Sequence, residues 1–417
     1  MSLTGRPLLV VVGLLALAMP VLAVYGWRWR TLRLVRTIAL VVCGQLLFSL
    51  AIGLEINRKQ DFFTSWDDLL GAEGTKTQAA ASGTLDRKAA ADAANKHGHG
   101  IVMSLRIPGA RSGLDLPALV YLPPQYSQKG WTHRRFPVVE ALDGFPGTPE
   151  RWTHTLHLPR ILDAEIAAGR MAPTIVVMPT QQTNKWRDSE CINAVGGDQF
   201  ATYLTRDVQQ VVRTKFRAAL TRDGWGLIGY STGGFCVNNL AFQPGYGYAA
   251  GAAMSGYFIP YQDRGTGNLF HGNVKARQAS YPLWQLEHAR HLPGISLYSA
   301  CAKPDPEPCK EAHLFAAALR RHPGPVHLTQ VEVNTGGHNM VTWRAIEGPA
   351  FDWLSAHLGP PLAVASVPGN IPRTPLPPKP SHSTGQPPGE LAKPRPSTRS
   401  GTAGTPTRRS VVASPTA

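Results

Sequence analysis

The chain predicts an α/β architecture: a mostly parallel central sheet with helices on both faces, behind two apolar N-terminal segments and ahead of a polar tail. Three observations carry this. Short apolar runs alternate with helical stretches through the middle of the chain, the pattern left by parallel strands and their crossovers. Two runs near the N-terminus approach the length of a bilayer span. The C-terminal stretch from Gly359 is dominated by Pro, Ser, Thr and Gly. With 417 residues, 43% hydrophobic and 17% charged, the chain can bury a sizeable core, and its middle part suits one domain of about 250 residues.

Leu8 to Val24 is almost wholly apolar, and Ile38 to Ile56 is interrupted only by Gly44, Gln45, Ser49, Gly53 and Glu55. Each is near the roughly 17–25 residues a span requires. Arg28, Arg30, Arg33 and Arg36 lie between them, beside Trp27 and Trp29. Positively charged loops stay in the cytoplasm, so residues 1–57 read as a transmembrane hairpin with both outer ends outside and the rest extracytoplasmic. The other reading is a signal peptide cleaved near Val21-Leu22-Ala23, since the first run is short and contains Pro20. Either way the domain beyond the second run is exported, from a multi-pass or signal-anchored protein. Residues 58–100 lack a sustained apolar stripe and read as a linker. Its His97-Gly-His99 is a weak metal signal, and neither metal nor cofactor is predicted.

Residues 101–358 carry the alternation. Val102–Ile107, Leu116–Tyr121, Phe136–Leu142, Thr174–Met178, Trp225–Ile228, Ala249–Met254, Ile295–Ala300 and Val326–Val333 read as strands. Helices such as Gln199–Phe216 and Ala312–Arg321 separate the later ones.

The third of these strands runs into Asp143-Gly144-Phe145-Pro146-Gly147, a loop suited to present a backbone N–H. Phe145 is the candidate for one such donor, and Asp143 for a substrate contact. After the strand ending at Met178, Trp186-Arg187-Asp188-Ser189-Glu190 lies on the sheet edge where α/β proteins bind ligands. Trp186 or Glu190 lines a cleft there, or the cluster packs a loop held by Cys191.

Gly229-Tyr230-Ser231-Thr232-Gly233-Gly234 follows the apolar run Trp225–Ile228 and has the Gly-x-Ser-x-Gly form of a nucleophile elbow. There a buried strand reverses sharply into a helix, here Thr232 to Phe242, and the residues flanking the serine must be small. A serine hydroxyl needs a base oriented by a carboxylate, and both should follow in chain order. The loop after Ile295–Ala300 reads Cys301-Ala-Lys-Pro-Asp-Pro-Glu-Pro-Cys309 and offers Asp305, with Glu307 as the alternative acid. The strand Val326–Val333 ends in Asn334-Thr335-Gly336-Gly337-His338-Asn339, and His338 is the candidate base ahead of a helix through Trp343 and Trp353. His154, His157, His288 and His291 lie in helix-like or loop contexts and read as solvated or packed rings. Negative charge on a tetrahedral intermediate would be met by the amides of Thr232 and Phe145.

Cys43 lies inside the second apolar run, leaving Cys191, Cys236, Cys301 and Cys309. Four cysteines in an oxidising compartment allow three pairings. The preferred set joins Cys301 to Cys309, clamping the acid loop, and Cys191 to Cys236, five residues beyond the serine. Zinc is disfavoured by the lack of close Cys-x-x-Cys pairs.

The tail, 359–417, cannot bury enough apolar area to offset ordering and is expected to be disordered. Its seven Lys/Arg against Glu390 supply +6 of the formal +15. Anionic cell-envelope polymers or lipid head groups suit it as contacts; nucleic acid does not, outside the cell.

Val139-Glu-Ala-Leu-Asp-Gly-Phe-Pro-Gly147, Gly229-Tyr-Ser-Thr-Gly-Gly234 and Gly336-Gly-His-Asn339 together resemble the esterase family of α/β-hydrolases that includes esterase D, enterochelin esterases and the mycolyltransferases of actinobacteria. The resemblance spans Val102 to Leu358. It implies an α/β-hydrolase fold, Ser231 and His338 at catalytic positions, and Phe145 and Thr232 at the oxyanion amides. The acid loop departs most from the family pattern, being proline-rich and bracketed by cysteines. The reading is a membrane-anchored serine esterase or acyltransferase acting on an ester or thioester through an acyl-enzyme. Transfer to a sugar or glycerol acceptor stays open, as does a non-catalytic envelope-binding role, against which the intact Ser231 and His338 argue.

Overall fold

The computed structural model describes residues 3, 5–27, 32–60, 63, 66–69 and 99–363, apart from 185, 244 and 246. Most of the linker, His97 included, and the tail beyond residue 363 lie outside the described residues.

Two N-terminal helices, Arg6–Gly26 and Arg33–Gln60, extend past both apolar runs. By length and composition both are able to cross a membrane. Pro20 sits inside the first helix. Arg33 and Arg36 belong to the first turns of the second helix, and the Arg36 guanidinium donates to the Gly26 carbonyl.

Ten strands lie among the described residues: β1 (Ile101–Pro108), β2 (Asp115–Leu122), β3 (Arg134–Arg135), β4 (Val138–Leu142), β5 (Ile175–Pro179), β6 (Trp225–Tyr230), β7 (Ala250–Met254), β8 (Ile295–Ala302), β9 (Val326–Val333) and β10 (Leu362–Ala363). Eight form one sheet in the order β1-β2-β5-β4-β6-β7-β8-β9, and β10 pairs with β3. β2 runs antiparallel to both neighbours; from β5 to β9 every pairing is parallel. β4, β5, β6 and β7 are buried at every position. That is why they read as apolar runs, interrupted in β4 by Glu140, and not as alternations.

Each parallel connection carries helix, and the helices sort to two faces. Phe200–Lys215, Thr232–Leu240 and Pro306–Arg321 pack into one apolar layer with Phe136, Val177, Leu227 and Leu297. Leu158–Ala167 and Met340–His357 pack into the other with Val139, Val176, Ile228 and Met254. The chain leaves β4 toward β5 on one side and returns to β6 on the other. A topological switch of this kind opens a crevice at the C-terminal ends of the strands.

Three local expectations change. The strand expected from Phe136 begins at Val138, since Pro137 has no N–H to give a ladder, and Phe136 makes only an isolated bridge to Ala218. The helix expected over Gln199–Phe216 forms over Phe200–Lys215, with a wide turn at Tyr203–Val208. The helix expected from Ala312 starts at Pro306, so half of the proline-rich acid loop is helix. Prolines are tolerated there because first-turn N–H groups have no intrahelical partner. Helices Val274–Ala279 and Pro282–His288 were not singled out in the sequence.

Candidate active site

The backbone turns at Ser231 with φ +55° and ψ −124°, between β6 and the helix Thr232–Leu240. Such a conformation costs of order 1–3 kcal/mol in a non-glycine residue and persists only where the surroundings over-determine it. Here Ser231 N–H donates to the Met254 carbonyl at 2.9 Å, and its own carbonyl accepts Phe235 N–H at 3.1 Å. Gly233 makes the turn sterically possible: a Cβ there would stand 2.1 Å from the Leu142 carbonyl oxygen, so helix and β4 meet backbone to backbone.

His338 lies on the loop after β9. Gly336, at φ +114°, turns the chain; Gly337 N–H donates to Thr342 Oγ1 at 2.8 Å. The Asn339 side chain caps the last helix by accepting Thr342 N–H at 3.0 Å. The imidazole stands edge-on to the Trp343 ring, centroids 5.1 Å apart, and the Trp343 indole is anchored by donating to Ser255 Oγ at 3.0 Å. Ser231 Oγ is 2.8 Å from His338 Nε2, and His338 Nδ1 is 2.7 Å from Asp305 Oδ2. A carboxylate at Nδ1 holds that nitrogen protonated and leaves the Nε2 lone pair toward the serine hydroxyl.

Asp305 takes the position just before the helix Pro306–Arg321, yet its side chain makes no capping bond there. Its N–H donates to the Ala302 carbonyl at 2.8 Å. Glu307 points elsewhere: its side chain is 66% exposed, 3.5 Å from Lys310 Nζ. Both expected disulfides are present, Cys301–Cys309 bracketing Asp305 and Cys191–Cys236 joining the 188–191 loop to the helix after the serine.

Gly144 presses on the elbow, since a Cβ there would meet both Ser231 Cβ and Tyr230 Cε2 at 2.9 Å. Phe145 follows on the same loop, and no backbone carbonyl among the described residues takes the N–H of Phe145 or Thr232. Asp143 is 4% exposed, with Oδ1 accepting from Gln181 Nε2, and burial raises its carboxyl to about 7. The bond at Oδ1 ties the start of the 143–147 loop to Gln181, just beyond β5. Glu190 is fully buried and accepts from the Tyr257 hydroxyl at 2.9 Å, which fits the packed-loop alternative. Trp186 is 73% exposed. A cavity of about 150 Å³ opens below that loop, walled by Arg187, Asp188, Phe200, Thr266 and Leu269. Sequence reasoning missed the bond from Thr232 Oγ1 to Asp188 Oδ2, 2.9 Å long; two residues 44 apart leave no pattern. Among the described residues no group of three or more His, Cys, Asp or Glu side chains is placed to hold a metal ion.

The chain is similar over 62–63% of its length to several solved structures. A ferulic acid esterase aligns over its whole length at 18% identity and a TM-score of 0.54. An S-formylglutathione hydrolase of Agrobacterium tumefaciens aligns over 97% of its length at 16% identity and 0.53. The fluorophosphonate-binding serine hydrolase F of Staphylococcus aureus aligns over 99% of its length at 18% and 0.51. At these identities the likeness is one of fold. A curated but uncharacterised protein of Corynebacterium glutamicum is 25% identical over 259 residues, covering 60% of this chain and 59% of that one. The profile of the Esterase family matches residues 110–345, a stretch holding the elbow, the acid-bearing segment and the histidine loop. Since that match takes in more than half of the chain and the sheet has the order described above, the chain belongs to the Esterase family and carries an α/β-hydrolase fold.

Proposed function

We propose that the chain is a membrane-anchored, extracytoplasmic serine esterase that forms an acyl-enzyme on Ser231. The observation that carries this is the chain of contacts from Ser231 Oγ to His338 Nε2 at 2.8 Å and from His338 Nδ1 to Asp305 at 2.7 Å. His338 takes the hydroxyl proton as Oγ attacks the carbonyl of an ester or thioester, and the Thr232 and Phe145 N–H groups hold the oxyanion. The imidazolium, steadied by Asp305, protonates the leaving group. Water then attacks the acyl-enzyme with His338 again as base. Water access supports hydrolysis over transfer to a sugar or glycerol, since the His338 side chain is 43% exposed.

The catalytic unit spans residues 101–358, behind a hairpin of residues 1–57 and a tether of residues 58–100. The two apolar helices, the arginines at their connection and the two disulfides support an anchored domain in an oxidising compartment. The cationic tail of residues 359–417 contacts anionic envelope polymers.

Fluorophosphonate labelling and p-nitrophenyl ester turnover should both vanish in Ser231→Ala; labelling that persists refutes the nucleophile. Products analysed with and without added glycerol or trehalose should be the free acid in each case, and an acylated polyol would make the enzyme a transferase. An alkaline phosphatase fusion after residue 100 should be active, and an inactive one places the domain in the cytosol.

A further inference from the structure

We propose that Asp188 is a positioning residue for the oxyanion turn, its carboxylate fixing, through the Thr232 hydroxyl, the direction in which the Thr232 N–H points. This rests on the reading of Ser231 as nucleophile. Asp188 is 8% exposed. Its Oδ2 accepts from Thr232 Oγ1 at 2.9 Å, and its Oδ1 accepts from Glu190 N–H at 2.9 Å. With both oxygens engaged, the carboxylate has no freedom to rotate away from the threonine.

The support behind it is rigid. Glu190, fully buried, accepts from the Tyr257 hydroxyl at 2.9 Å and from Tyr261 N–H at 3.2 Å. Tyr257 stacks on Phe235, 4.8 Å between centroids, one turn along the helix that Thr232 begins. Cys191, next to Glu190, is bridged to Cys236 on the same helix. The 188–191 segment therefore grips the helix after the nucleophile at two points, one a hydrogen bond at its first residue and one covalent a turn further on.

Asp188 also reaches the other side of the oxyanion site. Its N–H donates to the Gly265 carbonyl at 3.1 Å, and Gly265 lies against Phe145, a Cβ there meeting the ring at 3.2 Å. One buried residue thus touches Thr232 directly and Phe145 through a single intermediary. Donors for an oxyanion act by being held in place before charge develops, and the strained backbone at Ser231 needs such external definition. Burial, with Asp263 nearby, raises the Asp188 carboxyl to about 6.

The test uses the full chain and p-nitrophenyl ester kinetics on Thr232→Val, Thr232→Ser, Asp188→Ala and the Asp188→Ala/Thr232→Val double variant. Thr232→Val keeps shape and N–H and removes only the hydroxyl. It and Asp188→Ala should each lower kcat/KM about tenfold or more, through kcat at nearly unchanged KM, as misaligning one donor requires. Thr232→Ser should regain most of that loss, and the double variant should be no slower than the slower single. Wild-type rates in Thr232→Val, or losses that multiply in the double variant, overturn the proposal. If Ser231→Ala keeps turnover, the nucleophile reading falls and takes this one with it. If Ser231→Ala is inert while Thr232→Val and Asp188→Ala run at wild-type rate, this proposal alone falls.

Discussion

Asp305 Oδ2 lies 2.7 Å from His338 Nδ1, although Asp305 heads a helix whose N–H groups it leaves uncapped. An acidic residue at that position ordinarily serves the helix; this one faces the imidazole. Glu307, two residues on, is the helix's first-turn acid and stays with Lys310. Asp305→Asn should therefore lower kcat on the order of 10⁴-fold by putting the histidine in the wrong tautomer, while Glu307→Gln stays near wild type. Steady-state kinetics of the two variants on one p-nitrophenyl ester would decide, and equal losses would remove Asp305 from its role.

The two disulfides should separate stability from activity. Cys191–Cys236 spans 45 residues and Cys301–Cys309 spans 8. In the chain-entropy view the longer loop contributes about 4 kcal/mol and the shorter about 2.5 kcal/mol. The short bridge, however, brackets Asp305. Cys191→Ser/Cys236→Ser should lower Tm more, and Cys301→Ser/Cys309→Ser should lower kcat more, by parallel calorimetry and turnover. The reverse ranking would contradict the placement of the acid.

Gly144 tests the oxyanion loop. An alanine Cβ would meet Ser231 Cβ and Tyr230 Cε2 at 2.9 Å, with no flexible chain end to yield. The loop must move and carry the Phe145 N–H with it. Gly144→Ala should cost about 10²-fold in kcat/KM, the scale of losing one oxyanion donor. Gly130→Ala, with nothing within 4 Å, is the control and should change neither rate nor Tm. A Gly144→Ala enzyme of wild-type rate would place the second donor elsewhere.

Glu140 makes stability fall as pH rises. It is fully buried in β4, where it accepts from the Tyr248 hydroxyl at 3.0 Å, and burial raises its carboxyl from 4.5 to about 8. The folded state then holds a proton that the unfolded chain releases. The contribution is complete below about pH 4.5 and is lost as pH rises to about 8, by up to about 1.4 kcal/mol per pH unit. Urea midpoints between pH 5 and 8 should fall less steeply in Glu140→Gln than in wild type. Parallel slopes would show that Glu140 titrates normally.

The parts of the fold readable in the chain were those set by local pattern. β5 to β7 announce themselves as apolar runs, because a strand covered on both faces has no polar side to show; β4 does so apart from Glu140. The elbow was legible because steric demand at Gly229, Gly233 and Gly234 leaves almost no choice of residue. Where chain and structure part, a neighbour decides. Pro306 and Pro308 look like loop residues until the helix they begin is seen.

Composition and spacing predict the alternation of strands and helices, the two apolar helices and the candidate serine and histidine, for these follow from the periodicity and size of adjacent residues. The choice of Asp305 over Glu307, the burial of Asp143 and Glu190, and the grip of Asp188 on Thr232 arise only when segments tens of residues apart are packed together. A hydrogen bond of that kind depends on distance and direction in space, which no local run of residues encodes.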